Sequence, residues 1–233
     1  MTNYQVKISN RAKHVSLKIT PADGLVVVVP KGFNHSLLDD LVAGRQAWIE
    51  KTLQRYQNYP VQEKDTSLPD EICLPALGET WPVNWIKTAS STVRVTTVDD
   101  FQLRVIGDIE NQQACGKAIR RWLMRHANEN LIPLLDLASK DCGLPYRKAT
   151  VRGQRTRWGS CSSTASINLN YQLLFVGPAM VNYVLVHELC HTVHLNHSPA
   201  FHALVASFVP DSKAIEAKLK QAWRTMPAWL QQL

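Results

Sequence analysis

The feature that most constrains this chain is a pair of histidines one helical turn apart, in the HELCH segment from His187 to His191. Residues at positions i and i+4 share one face of a helix, so both imidazoles can reach one metal ion at about 2.0–2.1 Å. Glu188 lies about 100° round the helix and can face the open side of that ion. Apolar residues with helical spacing predict that this helix is amphipathic: Val181, Val184, Leu185, Leu189 and Val193.

A catalytic zinc site needs a third protein ligand, and the chain just beyond this helix supplies candidates. On a straight helix His194 would lie two turns from His187, too far to share a tetrahedral ion. Asn196 can end the helix, and a serine–proline pair at 198–199 predicts the start of another. His197 would then lie in the reversal between two helices, so we favour it over His194. The remaining alternatives are His202 and Glu216.

This ligand set predicts hydrolytic chemistry. Three neutral imidazoles leave zinc with its full charge, so water bound to it has a pKa near 7. We expect Glu188 to take the proton of that water as it attacks a carbonyl or phosphoryl centre. Strict alternation over Ile167–Leu173 predicts a half-buried strand, and its polar side chains, Asn168 and Asn170, are candidates for binding an extended peptide substrate by strand addition.

The rest of the chain predicts an α+β fold. Residues 1–60 are expected to form a β-hairpin with a turn at Asp23-Gly24, followed by a helix over Asn34–Tyr56 with Trp48 on its apolar stripe. Residues 58–70 are expected to be a linker or an exposed loop. Residues 61–110 predict short strands. Residues 111–233 predict the helical and catalytic region, and the three regions are expected to form one integrated domain.

Proline and glycine residues indicate where the predicted helices in the second half of the chain begin and end. A helix is predicted from about Asn111 to Asp141, where Pro133 should kink or split it and Gly143 should end it. Pro178 follows Gly177 and predicts the first turn of the metal-binding helix. A last amphipathic helix is predicted from about Asp211 to Arg224.

Composition narrows the class of protein. The 233 residues include five scattered cysteines without a CxxC pair, which argues against a disulfide framework or a cysteine zinc cluster. No apolar run is long enough to cross a membrane, and the first residues lack the apolar core of a signal peptide, so we expect a cytoplasmic location. The net charge of +7 favours anionic partners.

Three segments of the last third resemble the YgjP-like metallopeptidase family, which is related to the WLM and SprT zincins. They are TRWGSCS (Thr156–Ser162), INLNYQL (Ile167–Leu173) and YVLVHELCHTVHLNHSPAF (Tyr183–Phe201), followed by Pro210-Asp211. The N-terminal strands and helix are similar more loosely, so the resemblance covers nearly the whole chain.

This resemblance implies a zincin-like domain in which His187, His191 and His197 bind zinc and Glu188 is catalytic. One departure is His202, which stands where the family usually has tryptophan. The resemblance also implies that the WGSCS turn lies near the active site. Two arginines beside that turn would then present positive charge to a substrate carboxylate or phosphate: Arg155 and Arg157.

Three functions remain open at this stage. The first is cleavage of peptide bonds in a peptide or protein substrate. The second is a metal-dependent nucleotide phosphohydrolase, such as a nucleoside triphosphate pyrophosphatase, although the chain lacks a GxxxxGK[ST] loop. The third is a nucleic-acid-associated zinc protein that binds phosphates through the basic segment 147–157. The natural substrate, oligomeric state, regulation and DNA binding are not determined by the sequence.

Overall fold

A computed structural model describes residues 4–10, 12–20, 24–57, 67–98, 101–154 and 156–232. The chain forms two compact units, Met1–Lys64 and Asp65–Leu233. Together they contain strands and helices in an α+β arrangement, as the sequence predicted. Within the part of the chain that the structure describes, no helix has the length and apolar character needed to cross a membrane.

The first unit contains a three-stranded sheet. Its strands are β1 (Tyr4–Ser9), β2 (Ser16–Thr20) and β3 (Gly24–Pro30), in the order β1-β3-β2. β2 and β3 pair antiparallel, which confirms the predicted hairpin, although Asp23 of the predicted turn lies outside the described residues. β1 adds to the other side of β3 in parallel. Alternate residues of β3 are buried, so one face of this sheet forms the unit's core.

The helix predicted over Asn34–Tyr56 is wrong in one respect, because the structure divides it. A 3-10 turn (His35–Leu37) leads into α1 (Leu38–Ala43), and α2 (Gln46–Gln57) follows after Gly44. Glycine is a poor helix former, and the Gly44 N–H donates to the Asp40 carbonyl to close the last turn of α1. Trp48 was expected on the buried stripe, but 45% of it is exposed. Most of the predicted 58–70 linker lies outside the described residues.

The second unit begins with a four-stranded sheet, which confirms the short strands predicted before residue 110. Its strands are β4 (Glu71–Leu74), β5 (Glu79–Lys87), β6 (Arg94–Val98) and β7 (Gln102–Gly107), in the order β4-β5-β7-β6. β5 and β7 are parallel, whereas the two outer pairs are antiparallel.

A single long helix, α3 (Gln112–Cys142), follows this sheet. Pro133 was expected to kink or split the helix, and a split is wrong, because one helix continues through the proline. Leu131 and Leu135 are fully buried on either side of the proline and pack into one core, which offsets the hydrogen bond that proline removes. Gly143 ends the helix in the left-handed region at φ 65°, as predicted.

A second sheet carries one side of the candidate site. It contains β8 (Lys148–Arg152), β9 (Gly159–Cys161) and β10 (Ser166–Asn170), in the order β8-β10-β9. The strand predicted to reach Leu173 ends at Asn170. The Asn170 side-chain oxygen accepts a hydrogen bond from the Gln172 N–H and so caps a 3-10 helix, Tyr171–Phe175.

Three helices complete the second unit: α4 (Pro178–Cys190), α5 (Pro199–Phe208) and α6 (Ser212–Thr225). Pro178 stands in the first turn of α4 and the Ser198 side chain caps α5, both as predicted. α4 is buried nearly all round, because it packs against α3, α6 and the small sheet. Val193 lies beyond the end of α4 and is exposed, so its predicted place on the buried stripe is wrong.

Candidate metal centre

Three histidines from the end of α4 and the reversal beyond it come together in the second unit. His187 lies in the last turn of α4, and His191 is the residue that caps it. The Nε2 atoms of His187 and His197 are 3.1 Å apart. One ring nitrogen from each of His187, His191 and His197 lies within 4.8 Å of the other two.

The reversal begins earlier than the sequence predicted. α4 ends at Cys190 rather than near Asn196, so His194 lies past the helix instead of on its last turn. The His194 backbone carbonyl is 2.9 Å from the Nδ1 atom of His191 and can accept a hydrogen bond from the Nδ1–H group. A hydrogen bond at Nδ1 fixes the tautomer of an imidazole and leaves Nε2 free to bind a metal. His194 therefore contributes a carbonyl that orients a neighbouring ring.

A buried phenylalanine supports all three rings. Phe201, in the first turn of α5, stacks on His191 at 4.4 Å between ring centroids. It also meets the rings of His187 and His197 edge-on, each at 4.9 Å. Phe201 is fully buried, so its position is set by the core of the unit. The Ser198 cap fixes the start of α5 and therefore the place of Phe201.

The three residues could together hold a divalent metal ion. Tetrahedral ligands at 2.0–2.1 Å from zinc are about 3.3 Å apart, close to the 3.1 Å between the His187 and His197 Nε2 atoms. Burial, and then the neighbouring imidazoles of His191 and His197, lower the pKa of His187 to about 4. Burial also lowers the pKa of His191. Neutral imidazoles have the free lone pairs that a metal requires.

A buried carboxylate lies next to the three histidines. Glu188 is only 5% exposed, and burial raises its pKa to about 8, against the opposing effect of the positive charge of Arg157. Among the described residues, its Oε2 atom has no hydrogen-bond partner. A Cβ atom added at Gly159 would be only 2.7 Å from Glu188 Oε1, which shows that the carboxylate lies against the backbone of β9. A carboxylate in this environment is a stronger base than an exposed glutamate.

A cleft of about 690 Å³ gives access to these groups. One wall is formed by the chain from Thr156 through β9, and another by α6, from which Glu216, Leu219, Lys220 and Trp223 line the space. Trp158 stacks on Trp223 with 4.0 Å between ring centroids and so links the two walls. β9 is at the edge of its sheet, and its residues Gly159, Ser160 and Cys161 line the cleft.

The four residues that the sequence suggested for substrate binding do not all lie at the cleft. Arg157 is exposed and lines the cleft, whereas Arg155 lies outside the described residues. Asn168 bonds to Thr150 and Ser160 on the neighbouring strands. Asn170 is fully buried, and its amide nitrogen donates to backbone carbonyls. Neither asparagine is among the residues lining the cleft.

Strand addition at the polar edge of β10 is contradicted by the sheet. β10 lies in the middle, paired with β8 on one side and β9 on the other, so it has no free edge. The WGSCS turn, which contains β9, was expected near the active site from the resemblance, but sequence reasoning missed the α6 wall and the close approach of Glu188 to β9. Gly159 was the one local signal, since a glycine inside a strand often marks a close approach of another group.

Of the other ligand candidates, His202 stacks at 6.1 Å from His197 between ring centroids. Glu216 forms an ion pair of 2.7 Å with Lys220. Neither belongs to the cluster of ligand atoms, which among the described residues contains the three histidines alone.

The fold and this site define an α+β protein with a histidine cluster suited to a divalent metal, beside a buried carboxylate. A family model, the YgjP-like metallopeptidase domain, matches residues 13–222. The chain therefore belongs to the YgjP-like metallopeptidase family.

Two solved structures similar to this chain are metallopeptidase zymogens from archaea. Abylysin of Pyrococcus abyssi is 23% identical with a TM-score of 0.37, and the match covers 40% of this chain and 93% of abylysin. Jannalysin of Methanocaldococcus jannaschii is 17% identical with a TM-score of 0.36, covering 40% of this chain and 96% of jannalysin. A comparison with curated protein sequences found no match.

Proposed function

We propose that this protein is a zinc metallopeptidase in which His187, His191 and His197 bind the metal and Glu188 is the general base. The observation that carries the proposal is the cluster of three imidazole nitrogens within 4.8 Å of one another, beside a buried carboxylate. Membership of a metallopeptidase family supports a peptide or protein substrate.

Zinc in such a site supplies a Lewis acid, which makes water more acidic and polarises the carbonyl that is attacked. The chain's own contribution centres on Glu188. Its carboxylate takes a proton from the attacking water and later gives it to the leaving amine nitrogen. Burial makes it basic enough for the first transfer, since its pKa is raised to about 8. The unpartnered Oε2 atom is available to hold that proton.

Binding of the substrate backbone is assigned to β9. An extended peptide can add to a free strand edge, where main-chain hydrogen bonds supply affinity without regard to sequence. β9 runs beside Glu188, because Gly159 lies directly against that carboxylate. A peptide bond held along this edge is thereby brought next to the general base.

The test is cleavage of a mixed peptide library by protein loaded with one equivalent of zinc. We expect cleavage by the wild type and at least about a 10³-fold lower rate for Glu188→Gln with zinc content unchanged. Glu129→Gln, which changes an exposed glutamate on α3, is the matched control and should retain full activity. Full activity in Glu188→Gln would refute the assigned role.

The same variants are assayed with nucleoside triphosphates, because Arg157 exposes a positive charge beside Glu188 and suits phosphate oxygens as well. Release of phosphate or pyrophosphate that depends on Glu188, without cleavage of any peptide, would replace the peptidase proposal with a phosphohydrolase.

A further inference from the structure

Arg157 is a cation at the mouth of the candidate site that the proposed chemistry does not use. Its side chain is exposed and lines the cleft, and its charge acts on Glu188. Among the described residues, ion pairs within 4.0 Å involve other cations, so its guanidinium has no carboxylate partner there. Within the described part of the chain, the N–H donors of this guanidinium are therefore not taken by a carboxylate and can bind a ligand.

Among the described residues, the other charged side chains along the cleft form no ion pair with this cation. On the α6 wall Lys220 is paired with Glu216 at 2.7 Å. The other carboxylate that lines the cleft, Glu188, is buried, and no ion pair within 4.0 Å joins it to Arg157. The described part of the cleft therefore presents one unpaired positive group, and it does so next to the general base.

The backbone that carries Arg157 is fixed on both sides. The buried amide of Asn170 donates to the carbonyls of Gln154 and Arg157, each at 2.8 Å. The next residue, Trp158, is held by its stack on Trp223, and its carbonyl accepts from the Asn170 N–H at 2.8 Å. A fixed backbone lowers the entropy lost when a side chain binds its ligand.

We propose that Arg157 forms an anion subsite that binds a carboxylate side chain of the peptide, so that the enzyme prefers substrates with aspartate or glutamate beside the cleaved bond. The planar guanidinium donates two parallel N–H bonds to a carboxylate, which gives both affinity and orientation. Gly159, two residues along the chain, lies against Glu188, so the subsite is close to the reacting bond. This proposal rests on the proposed peptidase function.

The experiment uses pairs of peptides built on a library sequence that the enzyme cleaves, each pair differing by glutamate or glutamine at one position near the cleaved bond. Turnover is measured as kcat/KM for zinc-loaded wild type, Arg157→Gln and Arg157→Lys. Arg147→Gln, which changes an exposed arginine outside the cleft, is the matched control. Binding is measured separately by calorimetry on zinc-loaded Glu188→Gln protein, with and without Arg157→Gln, so that affinity is read without turnover.

In the wild type we expect about tenfold higher kcat/KM for the glutamate peptide at one position, and a similar ratio in affinity. The ratio should fall to about one in Arg157→Gln, recover in part in Arg157→Lys, and stay unchanged in Arg147→Gln. It should also shrink as salt is added, because the arginine is exposed. The subsite is refuted if the wild type cleaves both peptides with the same kcat/KM, or if the glutamate-to-glutamine ratio of kcat/KM is unchanged in Arg157→Gln. Either result leaves the proposed peptidase function intact.

Failure of the peptidase function is recognised differently. If no peptide is cleaved in a Glu188-dependent manner and neither member of a pair binds, both proposals fall. If nucleoside triphosphates are hydrolysed instead and Arg157→Gln weakens that reaction, Arg157 binds a phosphate group, and the carboxylate subsite is wrong.

Discussion

Replacing Gly159 with alanine should disable the enzyme while leaving its metal and fold in place. A Cβ atom there would lie 2.7 Å from Oε1, 2.8 Å from Cγ and 2.9 Å from Cδ of Glu188. Ordinary carbon contacts are about 3.5–4.0 Å, so the two groups must separate by about 1 Å. The backbone of Gly159 is paired with Leu169 in the sheet, and we therefore expect the carboxylate to move.

A displacement of about 1 Å in a reacting group costs about 10² in rate, which corresponds to about 2.7 kcal/mol of transition-state stabilisation. We expect kcat/KM for a cleaved peptide to fall by about that factor, with zinc content at one equivalent. The extra methyl group should lower the free energy of unfolding by about 1–3 kcal/mol. Ser163→Ala, an exposed change in the turn after β9, is the control and should alter neither quantity.

A double variant separates this explanation from a general distortion of the site. Both changes act through one carboxylate, so adding Gly159→Ala to Glu188→Gln should cost much less than it does in the wild type. Full activity in Gly159→Ala, or a loss of activity that tracks loss of zinc, would refute the reasoning.

Three further changes have defined outcomes. His197→Ala should lower zinc affinity at least about tenfold in a competition titration with a chelator, because one of three ligands is removed; unchanged affinity would exclude it as a ligand. Asn170→Ala removes the side-chain donor of two backbone carbonyls, so it should lower the free energy of unfolding by about 3 kcal/mol. Urea titrations measure this change, and a decrease of less than about 0.5 kcal/mol would contradict the expectation. Gly107→Ala should prevent stable folding, because φ of Gly107 is 136° and an added Cβ atom would lie 2.0 Å from the Thr92 carbonyl oxygen. The variant should therefore lose the cooperative unfolding transition in urea, and a normal transition would contradict this expectation.

Local sequence was sufficient for the features that depend on neighbours in the chain. The i, i+4 spacing of His187 and His191 is a property of one helix, and the Ser198 cap is set within a few residues. The structure brings the nitrogen atoms of both histidines and of His197 together, as the sequence reasoning expected. The assignment of these residues as zinc ligands stays a prediction.

Features that depend on distant parts of the chain were not predictable in this way. The period-two alternation continues past Asn170 to Leu173, yet the strand stops, because the Asn170 side chain caps a 3-10 helix. Which strand has a free edge depends on pairing between β8, β9 and β10, and no single segment contains that information. The wall built from α6 requires Trp223 to reach Trp158, which is 65 residues away in sequence.

Two errors came from treating a single residue as decisive. Pro133 was expected to kink or split α3, but α3 is not split, because buried leucines on both sides of the proline hold the helix together. Gly44 was passed over inside a long apolar pattern, and it is where α1 ends. In both places packing and backbone preference compete, and the sequence does not show which of them dominates.

The most direct test of the metal centre is X-ray absorption spectroscopy at the zinc edge on wild-type protein loaded with one equivalent of zinc. We expect a four-coordinate first shell of nitrogen and oxygen at about 2.0–2.1 Å, with outer-shell scattering from three imidazole rings. A shell with fewer than three imidazoles, or with a sulfur at about 2.3 Å from a cysteine such as Cys161 in the cleft, would contradict the ligand set.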